Sequence, residues 1–187
     1  MTDINRVLDF WFLPDTHPEF GEHREAWWQK DATFDAEIRQ NFEELVLKAE
    51  NGDLLSWTES AKGCMALIIL LDQFPRNIYR DTARAFSFDG KAREIARHTM
   101  DRGYFDQLPE IMQFFALLPF EHSESLEDQK FSVESYKKLG NENGLDFAIR
   151  HLEIIERFGR FPHRNEILGR TSTAEEIEFL QQPNSSF

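Results

Sequence analysis

Cysteine is nearly missing from this chain. Cys64 is the one thiol in 187 residues. That excludes an internal disulfide framework and a Cys-rich zinc site, and it fits a reducing compartment. Positive charge is also short: 21 Lys+Arg stand against 34 Asp+Glu, a formal charge of -13. Nonspecific binding to a phosphate backbone needs a basic face, and docking on anionic lipid needs one too, so neither nucleic acid nor membrane is an expected partner. Long apolar runs are absent. The longest, Met65 to Leu71, falls far below the ~20 residues needed to span a bilayer. The N-terminal Met-Thr-Asp-Ile-Asn-Arg lacks the basic and then apolar regions of a signal peptide. Low-complexity stretches and Ser/Gly linkers are missing, and no segment alternates for long with β-branched residues, so strand signals are poor. The reading is one cytoplasmic domain over residues 1–187, long enough for a substantial core.

Helical periodicity recurs instead. Residues 4–13 place Ile4, Val7, Leu8, Trp11 and Phe12 on one face, and Pro14 ends them. Residues 31–49 carry Phe34, Ile38, Phe42, Leu45 and Val46 at spacings of mostly three or four, with a solvated acidic face: residues 31–60 hold eight acids and two bases. Thr58-Glu59 reads as the cap of the next helix, which runs through Met65–Leu71 to Pro75 and is apolar almost all round, hence central. Gly63 inside it costs about 1 kcal/mol relative to Ala, which points to a close neighbour. Cys64 reads as a small core residue. Further helices are expected over 89–102, 105–118, 125–139 and 144–158. Gly103, Gly140 and Gly159 sit at C-terminal closures and Pro119 at a stop. Ser172 or Thr173 caps a last short helix with Glu175 and Glu176 in its first turn. The pair beginning at Asp89 and the pair beginning at Ser125 are about 36 residues apart, close to the period of tetratricopeptide helix pairs. The expected fold class is therefore all-α, a tetratricopeptide-like stack of antiparallel helical hairpins.

Three stretches do not read as helix faces. The first is Asp72-Gln73-Phe74-Pro75-Arg76-Asn77. The second is Leu118-Pro119-Phe120-Glu121-His122-Ser123-Glu124, with Asp128-Gln129 beyond. The third is Phe158-Gly159-Arg160-Phe161-Pro162-His163-Arg164-Asn165, followed by Leu168-Gly169-Arg170. The first and third echo each other, Phe-Pro-Arg-Asn against Phe-Pro-His-Arg-Asn. Both read as rigid turns that present a guanidinium and an amide after a helix, and loops held this way often carry function. Two helices separate each successive pair of these turns, so all three are expected at one end of a hairpin stack.

Together with Val7–Phe12, Trp28–Asp31, Phe34-Asp35, Ile38-Arg39 and Leu67–Asn77, these motifs resemble the DUF924 family of uncharacterised bacterial proteins nearly end to end. The resemblance implies a tetratricopeptide-like helical fold and carries no agreed activity. Gln113 and Leu117 stand where that family more often has Arg and Tyr, and Asp81 where it more often has Gly. If Arg and Tyr line a pocket elsewhere in the family, this chain's pocket is altered on that side.

The chemistry follows from residue type. Arg76, Arg80, Arg160, Arg164 and Arg170 are concentrated in a strongly acidic chain, and a guanidinium fork suits carboxylate or phosphate. His122 beside Glu124 is the expected proton carrier, since a carboxylate orients an imidazole and raises its pKa. Asp72, Gln73, Arg76, Asn77, Glu121, Asp128, Arg160, His163, Arg164 and Asn165 are the expected ligand contacts. No His-x-x-x-His or Glu-x-x-His helical pattern is present, and no metal or cofactor is expected. The favoured reading is a pocket for a small anionic or polar ligand, built from the three turns. The alternatives are a peptide-binding helical module and an Arg–carboxylate network that merely locks the turns. A homodimer is the expected way to cover an aromatic patch on so Phe-rich a chain, with 18 Phe.

Overall fold

The computed structural model describes residues 2–183, 185 and 186. Their regular structure is helical, with no strand among the described residues. The chain groups into two compact units. The first takes residues up to Arg80 together with Arg84–Pro119, and the second takes Asp81–Ala83 and everything from Phe120 on.

In the first unit, α1 (Asp3–Phe12) starts where the Thr2 hydroxyl accepts the Asn5 N–H. It stops at Leu13, whose φ of 69° lies in a region that L-residues seldom adopt. The 20-residue α2 (Ala32–Asn51) is capped by Asp31, whose carboxylate accepts the N–H groups of Thr33 and Phe34, and it closes at Gly52 with φ 85°. Between α1 and α2 a short 3-10 turn, Glu25–Trp27, brings Trp27 into the core. Its indole N–H donates to the Trp11 carbonyl at 2.9 Å. Trp11, Phe12, Trp27 and Phe115 form an edge-to-face and stacked aromatic cluster, while Phe10, Phe42 and Phe74 form another. Such ring pairs add a directional gain to their large buried area.

The central apolar helix is present, but its ends differ from expectation. Its cap is Ser60, not Thr58-Glu59. Leu55–Glu59 forms a 3-10 turn, and α3 (Ala61–Ile68) begins where the Ser60 hydroxyl accepts the Gly63 N–H. Nor does Pro75 end it. After Ile68 the helix widens into a π-helical turn over Ile69–Gln73, where the Phe74 N–H reaches the Ile69 carbonyl, and it continues as α4 (Phe74–Ile78) with Pro75 in its first turn. In a regular α-helix Pro75 would leave the Leu71 carbonyl without its N–H and press its ring against it. The wider turn restarts the helix so that Pro75 falls where no N–H is needed. Asp72–Asn77 is therefore helical, not a loop. Residues Met65–Leu70 are all within 2% of full burial. α5 (Asp89–Asp101) packs on α3, and α4 packs on α2.

α6 (Glu110–Glu121) follows a 3-10 turn at Phe105–Gln107. Pro119, expected to stop this helix, lies inside it. The boundary between the units falls directly after that proline. In the second unit α7 (Leu126–Leu139), capped by Ser125, packs along α8 (Glu142–Phe158), capped by Asn141. Gly140 and Gly159 close them with φ of 74° and 67°. The last helix, α9 (Ala174–Leu180), has a complete capping box: Thr173 accepts the Glu176 N–H and Glu176 accepts the Thr173 N–H. Ile154, Ile155 and Phe161 make its core, with Phe158 and Phe179 packed on them.

Candidate functional site

The expected site residues divide between the units. In the first unit Asp72 is wholly buried at the π-helical turn and accepts the Gln73 amide N–H at 2.5 Å. Arg76, one turn on, donates to the Asp72 carbonyl at 2.7 Å and sits 3.2 Å from its carboxylate. It grips Asp89 with both arms of its fork, at 2.9 and 3.0 Å. Burial opposes the Arg76 charge, but Asp72 and Asp89 outweigh it and push its pKa up. A second fork lies beside it. Arg80 donates to both oxygens of Asp35 at 2.7 and 2.8 Å, and Asn77 donates to the same carboxylate at 2.8 Å. Burial would raise the Asp35 pKa. The Arg80 and Asn77 hydrogen bonds overcome it and hold the pKa below the ordinary value.

In the second unit two of the expected turns meet. The Glu124 carboxylate accepts the Phe161 backbone N–H at 2.8 Å and both arms of Arg170 at 2.8 and 2.9 Å. Arg164 donates to the His122 carbonyl at 3.0 Å, with its guanidinium carbon 4.5 Å from the Phe161 ring centre. Asp128 accepts the Ser123 hydroxyl at 2.8 Å, and the Gln129 amide donates to the carbonyls of Glu121 and Ser123, both at 2.6 Å. These bonds tie the end of α6 to the start of α7. Arg160 grips Glu176, which is 2% exposed, at 2.6 and 2.8 Å. Asn165 donates to the Ser172 hydroxyl. The Glu124 oxygens serve the Arg170 fork and the Phe161 N–H, and a charged, bidentate donor is the strongest partner a carboxylate can have.

Two imidazoles lie against Phe161, and a third lies beside one of them. His151 packs edge-on to that ring at 5.5 Å, His163 lies 5.6 Å from it, and the His122 ring is 6.4 Å from His151. The His151 Nδ1 lies 2.8 Å from the Phe147 carbonyl and 3.3 Å from a Glu121 oxygen, which assigns its proton to that nitrogen. Burial drives the His151 pKa down to about 3, against the pull of the Phe147 carbonyl, and the nearby His122 and Arg164 push the same way. Burial and then Arg164 take His163 down to about 4. Both rings are neutral at ordinary pH. His122 and His163 are half-buried, whereas Arg164 and Asn165, which follow His163 in the chain, are buried. Glu124 stays ionised: burial would raise its pKa, but the Arg170 and Phe161 hydrogen bonds prevail.

Sequence reasoning missed the partners. Asp35, Asp89 and Glu176 each complete an arginine fork, yet each stands in the first turn of a helix, where a solvated or dipole-facing carboxylate is the ordinary reading. No signal in one sequence separates them from their neighbours. His151 lies on the inner face of α8, and its role depends on packing across elements.

The family model for bacterial proteins of unknown function, DUF924, matches residues 7–184. The fold also matches a solved structure of a protein of unknown function from Agrobacterium tumefaciens. It is 37% identical, covers 95% of this chain and 96% of that one, and has a TM-score of 0.86. No curated protein matches. The chain belongs to the DUF924 family.

Proposed function

We propose that the second unit binds a small anionic or polar molecule over the His122, His163 and Arg164 cluster, with His122 as the proton carrier. One observation carries this reading. Arg164 reaches from the 160–165 turn to the His122 carbonyl in the preceding turn, and His122 and His163, one in each of the two turns so joined, are half-buried. A neutral imidazole can donate through one nitrogen and accept through the other, so His163 suits a polar ligand that a buried guanidinium attracts. Glu124, with Arg170, holds the Phe161 backbone and so positions the turn. The expected compartment is the cytoplasm.

A second reading is favoured by a specific observation, the bidentate pairing of four of the singled-out arginines with carboxylates: Arg76–Asp89, Arg80–Asp35, Arg160–Glu176 and Arg170–Glu124. Under it the motif charges are a scaffold for a tetratricopeptide-like module that binds peptides elsewhere. One experiment separates the two. Inorganic phosphate is titrated into the protein while the imidazole resonances are followed, and the titration is repeated with Arg164→Met. Saturable shifts of His122 and His163, lost in a variant that still folds, support the ligand site. Unmoved imidazoles, together with a variant destabilised by several kcal/mol, assign the cluster to the scaffold.

A further inference from the structure

A depression of about 390 Å³ opens on the first unit between the first turns of α2 and the end of α4. It takes in Asn77, from the first of the three turns, together with Asp35, Arg39 and Arg80, which lie outside those turns. We infer that it is a binding site for a small monoanionic carboxylate with a short apolar tail.

Charge bookkeeping within the depression supports the choice of anion. Asp35 faces it, but its carboxylate is matched by the Arg80 fork and by Asn77. That pair contributes no net charge. Arg39 also lines the depression and is balanced far less closely. Its nearest carboxylate, Glu43, stands 3.8 Å away, and both side chains are well exposed or partly so, at 53% and 35%. An exposed pair at that distance is weak and screened by salt, so Glu43 is readily exchanged for another carboxylate. The Arg39 guanidinium is nonetheless held in place: it donates to the Ile78 carbonyl and lies 5.8 Å from the Tyr79 ring centre. A fixed, half-exposed guanidinium with N–H groups to spare is the feature that recognises a carboxylate. With Asp35 and Arg80 matched to each other, Arg39 is the one lining guanidinium left to meet a ligand, which favours a monoanion, and Glu43 beside it opposes a dianion such as phosphate more strongly.

The tail follows from the floor. Ala32 and Ala36 lie four residues apart on one face of α2 and leave room that larger side chains would fill. Their methyl groups offer a short apolar strip beside the guanidinium. The volume is at the low end for small-molecule sites, which limits the tail to a few carbons.

The test uses the whole protein at fixed ionic strength. Sodium acetate, butyrate, hexanoate and phosphate are titrated in turn, while backbone amide resonances of residues 32–40 and 77–80 are recorded. Saturable shifts are expected with the carboxylates. Affinity should rise from acetate to butyrate, by up to about fourfold for each methylene that enters. Phosphate should shift these amides less than butyrate does. Arg39→Met should weaken butyrate at least about tenfold, and Ala36→Leu, which fills the strip at an exposed helical position, should abolish the gain with chain length. Overturning results are shifts that fail to saturate into the tens of millimolar, phosphate binding as tightly as butyrate, or an affinity that neither substitution changes. Because Arg164 takes no part here, loss of phosphate shifts at His163 in Arg164→Met leaves this outcome untouched.

Discussion

Gly63 occupies a position where no side chain fits. A Cβ there would lie 2.0 Å from the Trp57 carbonyl oxygen and 2.9 Å from the Ser60 hydroxyl. Helix propensity alone favours Gly63→Ala by about 1 kcal/mol. The clash is with backbone and cannot be turned aside, so overpacking governs, and the variant should lose roughly 1–3 kcal/mol in urea unfolding. A gain in stability would show that the 3-10 turn at Leu55–Glu59 yields freely. His151 supplies a second prediction at this scale. Its pKa in the folded protein is about 3, below the ordinary 6.5. Between those values the unfolded chain binds the proton and the folded chain does not, so stability rises with pH across that window. The His151 contribution is complete above about pH 6.5 and is lost as the pH falls toward 3. Urea midpoints at neutral pH and two units lower should therefore differ, and His151→Gln should shrink the difference. An equal pH response in both proteins would remove His151 as its source.

Elements show how far local signals reach. The cap at Thr173 and the closing glycines at 140 and 159 stand where the sequence places them, because a cap is a contact among neighbours in the chain. The two prolines misread as stops, Pro75 and Pro119, depend on longer-range packing. A buried apolar helix has too much to lose by ending, and the π-helical turn at Ile69–Gln73 lets it continue past Pro75. Three of the arginine forks were legible only from one side: Arg76, Arg80 and Arg160 stand out in the sequence, while the carboxylates that receive them lie 13, 45 and 16 residues away. Packing at this helix is testable. Leu70 is fully buried, and Leu70→Ala should cost about 2–5 kcal/mol. A loss well under 1 kcal/mol in a denaturant titration would mean that the region around the π-helical turn collapses to fill the space. The fork at α9 gives a contrast. Arg160→Met takes both charged hydrogen bonds from a carboxylate that is 2% exposed and leaves it the Thr173 N–H, so it should cost more than Arg157→Met, whose partner Glu175 is 60% exposed and whose loss should be under about 1 kcal/mol.

At the scale of the whole chain, the charge of -13 and the internal ion pairs respond to salt in opposite directions. Excess acids on the surface repel one another, and that repulsion is screened once the Debye length falls to about 8 Å near 0.15 M salt. The forks that hold the turns, Arg76–Asp89 and Arg160–Glu176 among them, pair atoms 2.6–3.0 Å apart and are well shielded from solvent on at least one side. Salt therefore weakens them little. Exposed pairs such as Arg6–Asp3 and Arg150–Asp146 are the ones salt removes, and each is worth under about 1 kcal/mol. Relief of surface repulsion is the larger effect, so the thermal midpoint should rise as sodium chloride is increased from near zero to about 0.15 M. A midpoint that falls over this range would mean that the exposed ion pairs, not the buried forks, carry the electrostatic stability of the protein.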